Sequence, residues 1–312
     1  MPPFPRPRCR VRFCNPIGIT LAILKIDMDV FINMISHFFS KNFRDPARRW
    51  KHILNLMLFA LLAYLFLPNP FKSAPELRVM TYNIRHGLGL DRVLKLERIA
   101  AVINDFDPDV VVLNEVDMGT ARSNGLRDMD RLAELTGLHG YFGRSIDFDG
   151  GEYGNGLLSR QPISGELQVW DISNEMSNED RSVFRAVIPT PDDTLQVFGT
   201  HLGLDEAERV LQVRFLDSLL VAYGGSFPTI LAGDFNFQDQ SEEYEIITRR
   251  LPDTYAFLGL HTVKTYPVPA PEKRIDFIFA SLDWSGLQAV PPHIAVVDTA
   301  SDHYPLQLVL VP

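Results

Sequence analysis

From Leu77 onward the sequence predicts an α/β (α+β) layered domain, and three observations predict it. Short apolar runs or period-two alternations recur about ten times, a few segments between them carry apolar residues at helical spacing, and no repeat, low-complexity tract or second domain boundary follows Pro75. The chain has 312 residues, 46% hydrophobic and 22% charged, an ordinary globular composition that leaves ample core to bury.

The elements read in order. Leu77–Ile84 (LRVMTYNI) alternates apolar and polar residues as a strand does. Leu96, Ile99, Ala100, Ile103 and Phe106 recur at helical spacing, and Asp107-Pro108 stops that helix. Val110–Leu113 is a continuous apolar run, hence a strand buried on both faces. A helix from Asp128 to Leu135 is closed by Gly137. Strands follow at Gly156–Leu158, Ser182–Ile188 and Leu195–Thr200, then a longer helix over Glu206–Ala222 and a strand at Pro228–Ala232. The last two strands are Ile275–Ala280 and Pro305–Val311.

The part before this domain reads as an address. Ile53–Leu67 (ILNLMLFALLAYLFL) contains no charge, and only Asn55 and Tyr64 are polar. Fifteen helical residues cover about 22 Å, between a signal-peptide core and a short membrane span. Lys41, Arg44, Arg48, Arg49 and Lys51 precede it against Asp45 alone, which places that side in the cytoplasm and the domain across the membrane. The expected organisation is a cytoplasmic basic segment over 1–51, a membrane anchor or signal segment over 52–71, and the layered domain over 76–312. Signal-type segments begin near their basic flank, so Met28 or Met34 is the expected start of translation. Both cysteines, Cys9 and Cys14, precede Met28; the domain has none, as suits an oxidising compartment.

Charge is unevenly divided. Up to Pro75 there are 11 basic and 3 acidic residues, leaving the remainder at −17. An acidic body is poorly suited to holding long nucleic acid by counterion release.

Polar residues stand at the ends of the apolar strands. Asn83 ends the first, Glu115 follows VVVLN, His201 ends VFGT, Asp234 and Asn236 follow TILAG, Asp276 lies in RIDFIFA, and Asp302 and His303 precede the last strand. Strand ends are where α/β sheets build sites. Singly, a carboxylate after a strand is more often a cap or turn former; jointly, these residues suit phosphoester hydrolysis. Mg²⁺ takes oxygen ligands, one or two of them carboxylates, and Asn83, Glu115 and Asp302 offer amide and carboxylate oxygens. Histidine serves phosphate contact and proton handling instead. No H-E-x-x-H, cysteine cluster or G-x-x-x-x-G-K-S/T is present, which disfavours zinc and a P-loop nucleotide site.

The ordered set Asn83, Glu115, T-His201-L, G-Asp234-F-Asn236, I-Asp276-F-I-F and S-Asp302-His303-Y-P-L resembles the endonuclease/exonuclease/phosphatase superfamily over residues 77–312. YGNGLLSRQPI, at 153–163, resembles its mid-chain glycine-rich stretch. The resemblance implies a four-layer sandwich of two packed mixed β-sheets flanked by helices. It implies Glu115 as the main metal carboxylate, with Asn83 and Asp302 nearby, and Mg²⁺ or Mn²⁺ as the ion. By the same resemblance Asp234 orients or deprotonates the attacking water, Asn236 holds water or phosphate, His303 contacts the phosphate, Asp276 orients His303, and His201 is a second phosphate or leaving-group contact. Arg181 and Asn155 are expected at the substrate. Asn114 departs from the glutamine that often precedes the metal glutamate.

The expected function is metal-dependent hydrolysis of a phosphodiester, a lipid headgroup or small phosphoester, outside the cytoplasm. The alternative is an extracytoplasmic or membrane-tethered nuclease acting on DNA or RNA, with Arg249-Arg250 and Lys273-Arg274 its only basic pairs of note. A non-catalytic binding module on the same scaffold is disfavoured because Glu115, Asp234 and His303 are all present. RHGLGLD (85–91) and TARSNG (120–125) should shape the rim of the pocket. No protein partner is expected.

Overall fold

The computed structural model describes residues 76–190, 194–281, 286–290 and 299–310. The segments expected as a basic N-terminus (1–51) and as an anchor or signal (52–71) lie outside these residues. No helix among the described residues is long and apolar enough to cross a membrane.

Eleven strands among the described residues form two mixed sheets. The first pass of the chain lays down β1 (Leu77–Asn83), β2 (Val110–Met118), β3 (His139–Phe148) and β4 (Gly151–Ser159). The second pass builds β5 (Gln168–Asp171), β6 (Ser182–Pro189), β7 (Thr194–His201), β8 (Thr229–Asp234) and β9 (Asp276–Ala280) as a separate sheet. The chain then returns with β10 (Leu287–Val290) and β11 (Leu306–Leu310), giving a six-stranded order β10-β11-β1-β2-β4-β3. Helices α1 (Leu96–Phe106) and α2 (Asp128–Thr136) pack on the first sheet, and α3 (Glu206–Tyr223) and α4 (Glu242–Thr248) on the second; the short α5 (Thr254–Phe257) follows.

The layers follow from the pleat. Along β2, Val110 and Val112 face the core between the sheets, while Val111 and Leu113 face α1 and α2. Both sides of that strand are apolar, which is why its sequence runs VVVL without alternation. On the far side Phe198, Leu231, Phe277 and Phe279 meet Val213, Leu216 and Leu220 of α3. The helix ends obey local chemistry. Asp205 caps α3 by accepting from the Ala207 and Glu208 amides, and Gly137 closes α2 at φ 71°.

The four-layer arrangement matches the expectation, and every strand and helix expected from Leu77 onward forms among the described residues. The expected elements omit β3, β5 and β10, each at a sheet edge, together with α4 and α5. β3 and β5 are largely exposed or half-buried, so neither carries the apolar alternation that marks an internal strand.

Candidate active site

One end of the sandwich gathers the polar residues, because of strand direction. β1 and β2 run parallel, so Asn83 and Glu115 leave the same edge. β7 and β8 run parallel with His201 opposite Asp234, and antiparallel β9 begins with Asp276 opposite Asp234. β11 runs antiparallel to β1, so the residues just before it, Asp302 and His303, arrive at that same edge.

Backbone distortions aim the side chains. The register of β2 against β4 shifts between Leu113 and Val116, and Glu115 within that bulge has φ 59°. Asn236 is also left-handed, at φ 52°. Between strand and loop, Gly233 at φ 146° has no room for a side chain: a Cβ there would strike the Thr200 carbonyl oxygen.

Asp234 Oδ2 is the hub. It accepts a hydrogen bond from Asn83 Nδ2 at 3.0 Å and lies 3.5 Å from His201 Nε2 and 3.6 Å from His303 Nε2. Its Oδ1 accepts from the Asn236 amide at 3.0 Å. Asn83 Nδ2 also donates to Glu115 Oε1 at 3.0 Å, tying the two carboxylates together across the sheets. His303 Nδ1 donates to Asp276 Oδ2 at 2.9 Å, and the Tyr266 ring lies against the imidazole with centroids 4.7 Å apart.

The electrostatics divide the two histidines. Burial works against charge on His303, but Asp276 and Asp234 override it and push the imidazole up to about 10. His201 is held well below the ordinary range by burial, by Arg181 and by His303. His201 Nδ1 lies 3.3 Å from Arg181 Nη1, and its Nε2 lies 3.2 Å from Asn236 Nδ2 and 3.5 Å from Asp234 Oδ2. Burial, then the Asp276 charge, raise Asp234 to about 7. Burial likewise raises Glu115, whose one hydrogen bond among the described residues comes from Asn83.

Two groupings offer metal-ligating atoms. Asp234, Asp276 and His303 lie within 4.8 Å of one another, but a charged imidazole bonded to Asp276 has no lone pair to give. The fit is better at Glu115, a desolvated carboxylate with no ion pair of its own among the described residues, with Asn83 beside it and Asp302 near enough to raise it further. The two carboxylates suit a hard divalent cation; Asn83 faces Glu115 with Nδ2, its Oδ1 accepting from the Arg85 amide at 3.1 Å. Asp302 also faces Arg85 Nε at 3.5 Å.

The cleft holds about 830 Å³ and is lined by Glu115, Arg181, His201, Asp234, Asn236, Asp302 and His303 among others. Arg181 is 6% exposed and bonded to Glu179 Oε1 at 2.7 Å. Asn155, expected at the substrate, is not among the residues lining the cleft. It is 1% exposed, accepts from Asn114 and donates to Ser182, and so stands behind the site as a prop. The structure also gives Asn114 a role beyond that of a neighbour. Its carboxamide donates to Asn155 Oδ1 at 2.8 Å and to the Thr200 carbonyl at 2.9 Å, and accepts from the Asp234 amide at 2.9 Å. The signal in the sequence is a polar residue inside a both-faces-buried strand. Arg122, Phe148 and Tyr153 also line the cleft; TARSNG contains Arg122 and YGNGLLSRQPI begins with Tyr153, while nothing in the sequence singled out Phe148.

Residues 80–303 match the family model described as Endonuclease/Exonuclease/phosphatase family. An uncharacterized Escherichia coli K12 protein, YbhP, is 28% identical over 242 residues, spanning 73% of this chain and 94% of that protein. The crystal structure of an endonuclease/exonuclease/phosphatase from Beutenbergia cavernae aligns at TM-score 0.59 and 28% identity, covering 76% of this chain and 71% of that one. Two further structures share the fold at 19% identity. The mannosyl-6-phosphatase Bt3783 of Bacteroides thetaiotaomicron aligns at TM-score 0.59 over 75% of this chain and 99% of that one. Truncated Caenorhabditis elegans TDP2 aligns at 0.58 over 76% and 98%.

Proposed function

Since this chain belongs to the endonuclease/exonuclease/phosphatase family, we propose that it is a Mg²⁺- or Mn²⁺-dependent phosphoesterase acting on a lipid headgroup or other small phosphoester. The observation that carries this reading is the position of Asp234 Oδ2. Through Asn83 it is tied to Glu115, and it lies beside His303, which Asp276 holds; Glu115, Asp234 and His303 all line one cleft.

Glu115, Asn83 and Asp302 would hold the divalent ion, whose chemistry is to polarise a phosphoryl oxygen and ease the charge that builds during P–O cleavage. Asp234, partly protonated near neutral pH, receives the proton of the attacking water and orients it. Asn236, fixed by its amide to Asp234, holds that water or a phosphoryl oxygen. Charged His303, fixed through Nδ1 by Asp276, offers its Nε2–H to another phosphoryl oxygen. His201 and Arg181 present a neutral N–H and a guanidinium to the phosphate or the leaving group.

A small substrate is favoured over nucleic acid by charge. The residues after Pro75 total −17, and Glu179, Glu206 and Asp239 line the cleft itself. A polyanion threading past them would be repelled. The apolar 53–67 stretch with its basic flank, and the lack of cysteine beyond Cys14, support placement outside the cytoplasm by an anchor or signal over 52–71.

The test is to assay the purified full chain with Mg²⁺, Mn²⁺ or EDTA on phospholipid vesicles, a chromogenic phosphodiester, a phosphomonoester and plasmid DNA. EDTA-sensitive cleavage of a lipid or small ester, lost in Asp234→Asn, is expected. EDTA-sensitive DNA nicking alone would overturn the substrate assignment, and inactivity of a folded protein on every substrate would overturn the reading.

A further inference from the structure

We propose that Arg122 is a specificity-determining contact for a second anionic group, a carboxylate or phosphate carried on the leaving portion of the substrate. The inference rests on the phosphoesterase reading of the same cleft and names the substrate class more narrowly.

Arg122 is built into the cleft wall with unusual support for a residue whose side chain keeps a third of its surface exposed. Its Nε and Nη2 clamp both oxygens of Asp117, at 2.8 and 2.7 Å. Asp117 is wholly buried and also accepts from Thr120 at 2.6 Å and from Ser123. Two parallel N–H···O contacts between a guanidinium and a carboxylate are the strong, orientation-fixing form of this pairing, so the plane of Arg122 is set by Asp117. The guanidinium carbon lies 4.4 Å from the centre of the Phe148 ring and 5.3 Å from that of Tyr153. The backbone is fixed as well: the Arg122 amide donates to Asp149 Oδ2 at 2.6 Å.

Such an arrangement leaves one edge to act. Nη1 has no hydrogen-bond partner among the described residues, and the wall it belongs to is shared with Glu115 and Tyr153. Tyr153, whose ring faces the Arg122 guanidinium, lines the same cleft as Arg181. Arg181 is already paired with Glu179 and abuts His201. Of the three arginines lining the cleft, Arg181 and Arg209 have Nη1 engaged, and Arg122 has no Nη1 partner among the described residues. A guanidinium locked in place loses little side-chain entropy on binding an anion. The acidic residues Glu206 and Asp239 also line the cleft, so a single further anionic group is accommodated where a long polyanion is not.

The experiment compares two leaving groups that differ by one charge: phenyl phosphate against 4-carboxyphenyl phosphate, with the methyl diester of each, on the full chain with Mg²⁺. Wild type is expected to show a KM at least tenfold lower for the carboxylated ester. In Arg122→Gln/Asp117→Asn, which leaves no buried charge unpaired, that preference falls to within threefold of one, and the change appears in KM rather than kcat. Arg122→Lys keeps part of it. Equal losses on both esters, or an undiminished preference in a variant whose melting temperature is intact, would overturn the proposal. If wild type hydrolyses none of these esters, the phosphoesterase reading is judged by the wider substrate set given under Proposed function. Calorimetric titration with phenylphosphonate and 4-carboxyphenylphosphonate then decides the subsite alone, equal affinities in wild type refuting it.

Discussion

Replacing Asn114 by alanine tests whether one side chain joins the two sheets. Its carboxamide is wholly buried and makes three hydrogen bonds, to Asn155, to the Thr200 carbonyl and from the Asp234 amide. Truncation leaves those three partners buried and unpaired, at about 1–3 kcal/mol each. Relaxation of Asn155, which can turn toward Ser182, absorbs part of this. The expected loss is about 3–6 kcal/mol, a large fraction of the 5–15 kcal/mol typical of a domain. At about 2–4 °C per kcal/mol for a domain of this size, the melting temperature drops by roughly 10–20 °C. Urea unfolding followed by tryptophan fluorescence gives the free energy, and circular dichroism at low temperature shows whether the fold persists. A loss below about 1 kcal/mol with the fold intact would show that the sheets are held by apolar packing alone, and would refute the bridging role.

Three other outcomes are expected. Glu115→Gln removes a desolvated carboxylate with no ion pair among the described residues, so the metal-free variant should be at least as stable as wild type while losing the rise in melting temperature that Mg²⁺ or Mn²⁺ gives; a retained rise would place the ion elsewhere. Burial, then the nearby Asp117 charge, push the Asp128 carboxyl up to about 8. The unfolded chain then gives up this proton from about pH 4 upward while the folded protein keeps it, so stability falls as pH rises from about 4 to 8; Asp128→Asn should lack that decline by a few kcal/mol in chemical unfolding, and parallel pH curves would refute the assignment. Gly233→Ala should cost about 3 kcal/mol or more and lower activity, because both the dihedral and the Thr200 carbonyl forbid a Cβ; a soluble variant with an unchanged unfolding midpoint would contradict this.

The sequence made the interior legible because internal strands are buried on both faces. VVVL, TILAG and the 3.6-residue spacing of Leu96–Phe106 can satisfy their side chains in few other ways. The strands at the sheet edges β3, β5 and β10 escaped because their side chains meet water as often as core. In the site, Asn83, Glu115, His201, Asp234, Asp276, Asp302 and His303 were legible as polar groups at the ends of apolar runs, and parallel pairing brings them to one edge. Nothing local to Asn155 tells that its carboxamide is taken up by Asn114 and Ser182, since that depends on how the two sheets stack. Arg122 was placed at the rim by TARSNG, but its clamp was not legible, because it depends on a partner five residues earlier and on the Phe148 and Tyr153 rings.

The order in which the chain visits the two sheets has a further consequence. Asn83 and Glu115 come from the first pass, Arg181, His201, Asp234 and Asp276 from the second, and Asp302 and His303 from the return. No contiguous fragment that stops short of the return possesses a working half of the site. A nascent chain that has not completed the return lacks Asp302 and His303. Any force or denaturant that slides one sheet over the other by a fraction of a strand spacing should extinguish activity before the helices on the outside have melted.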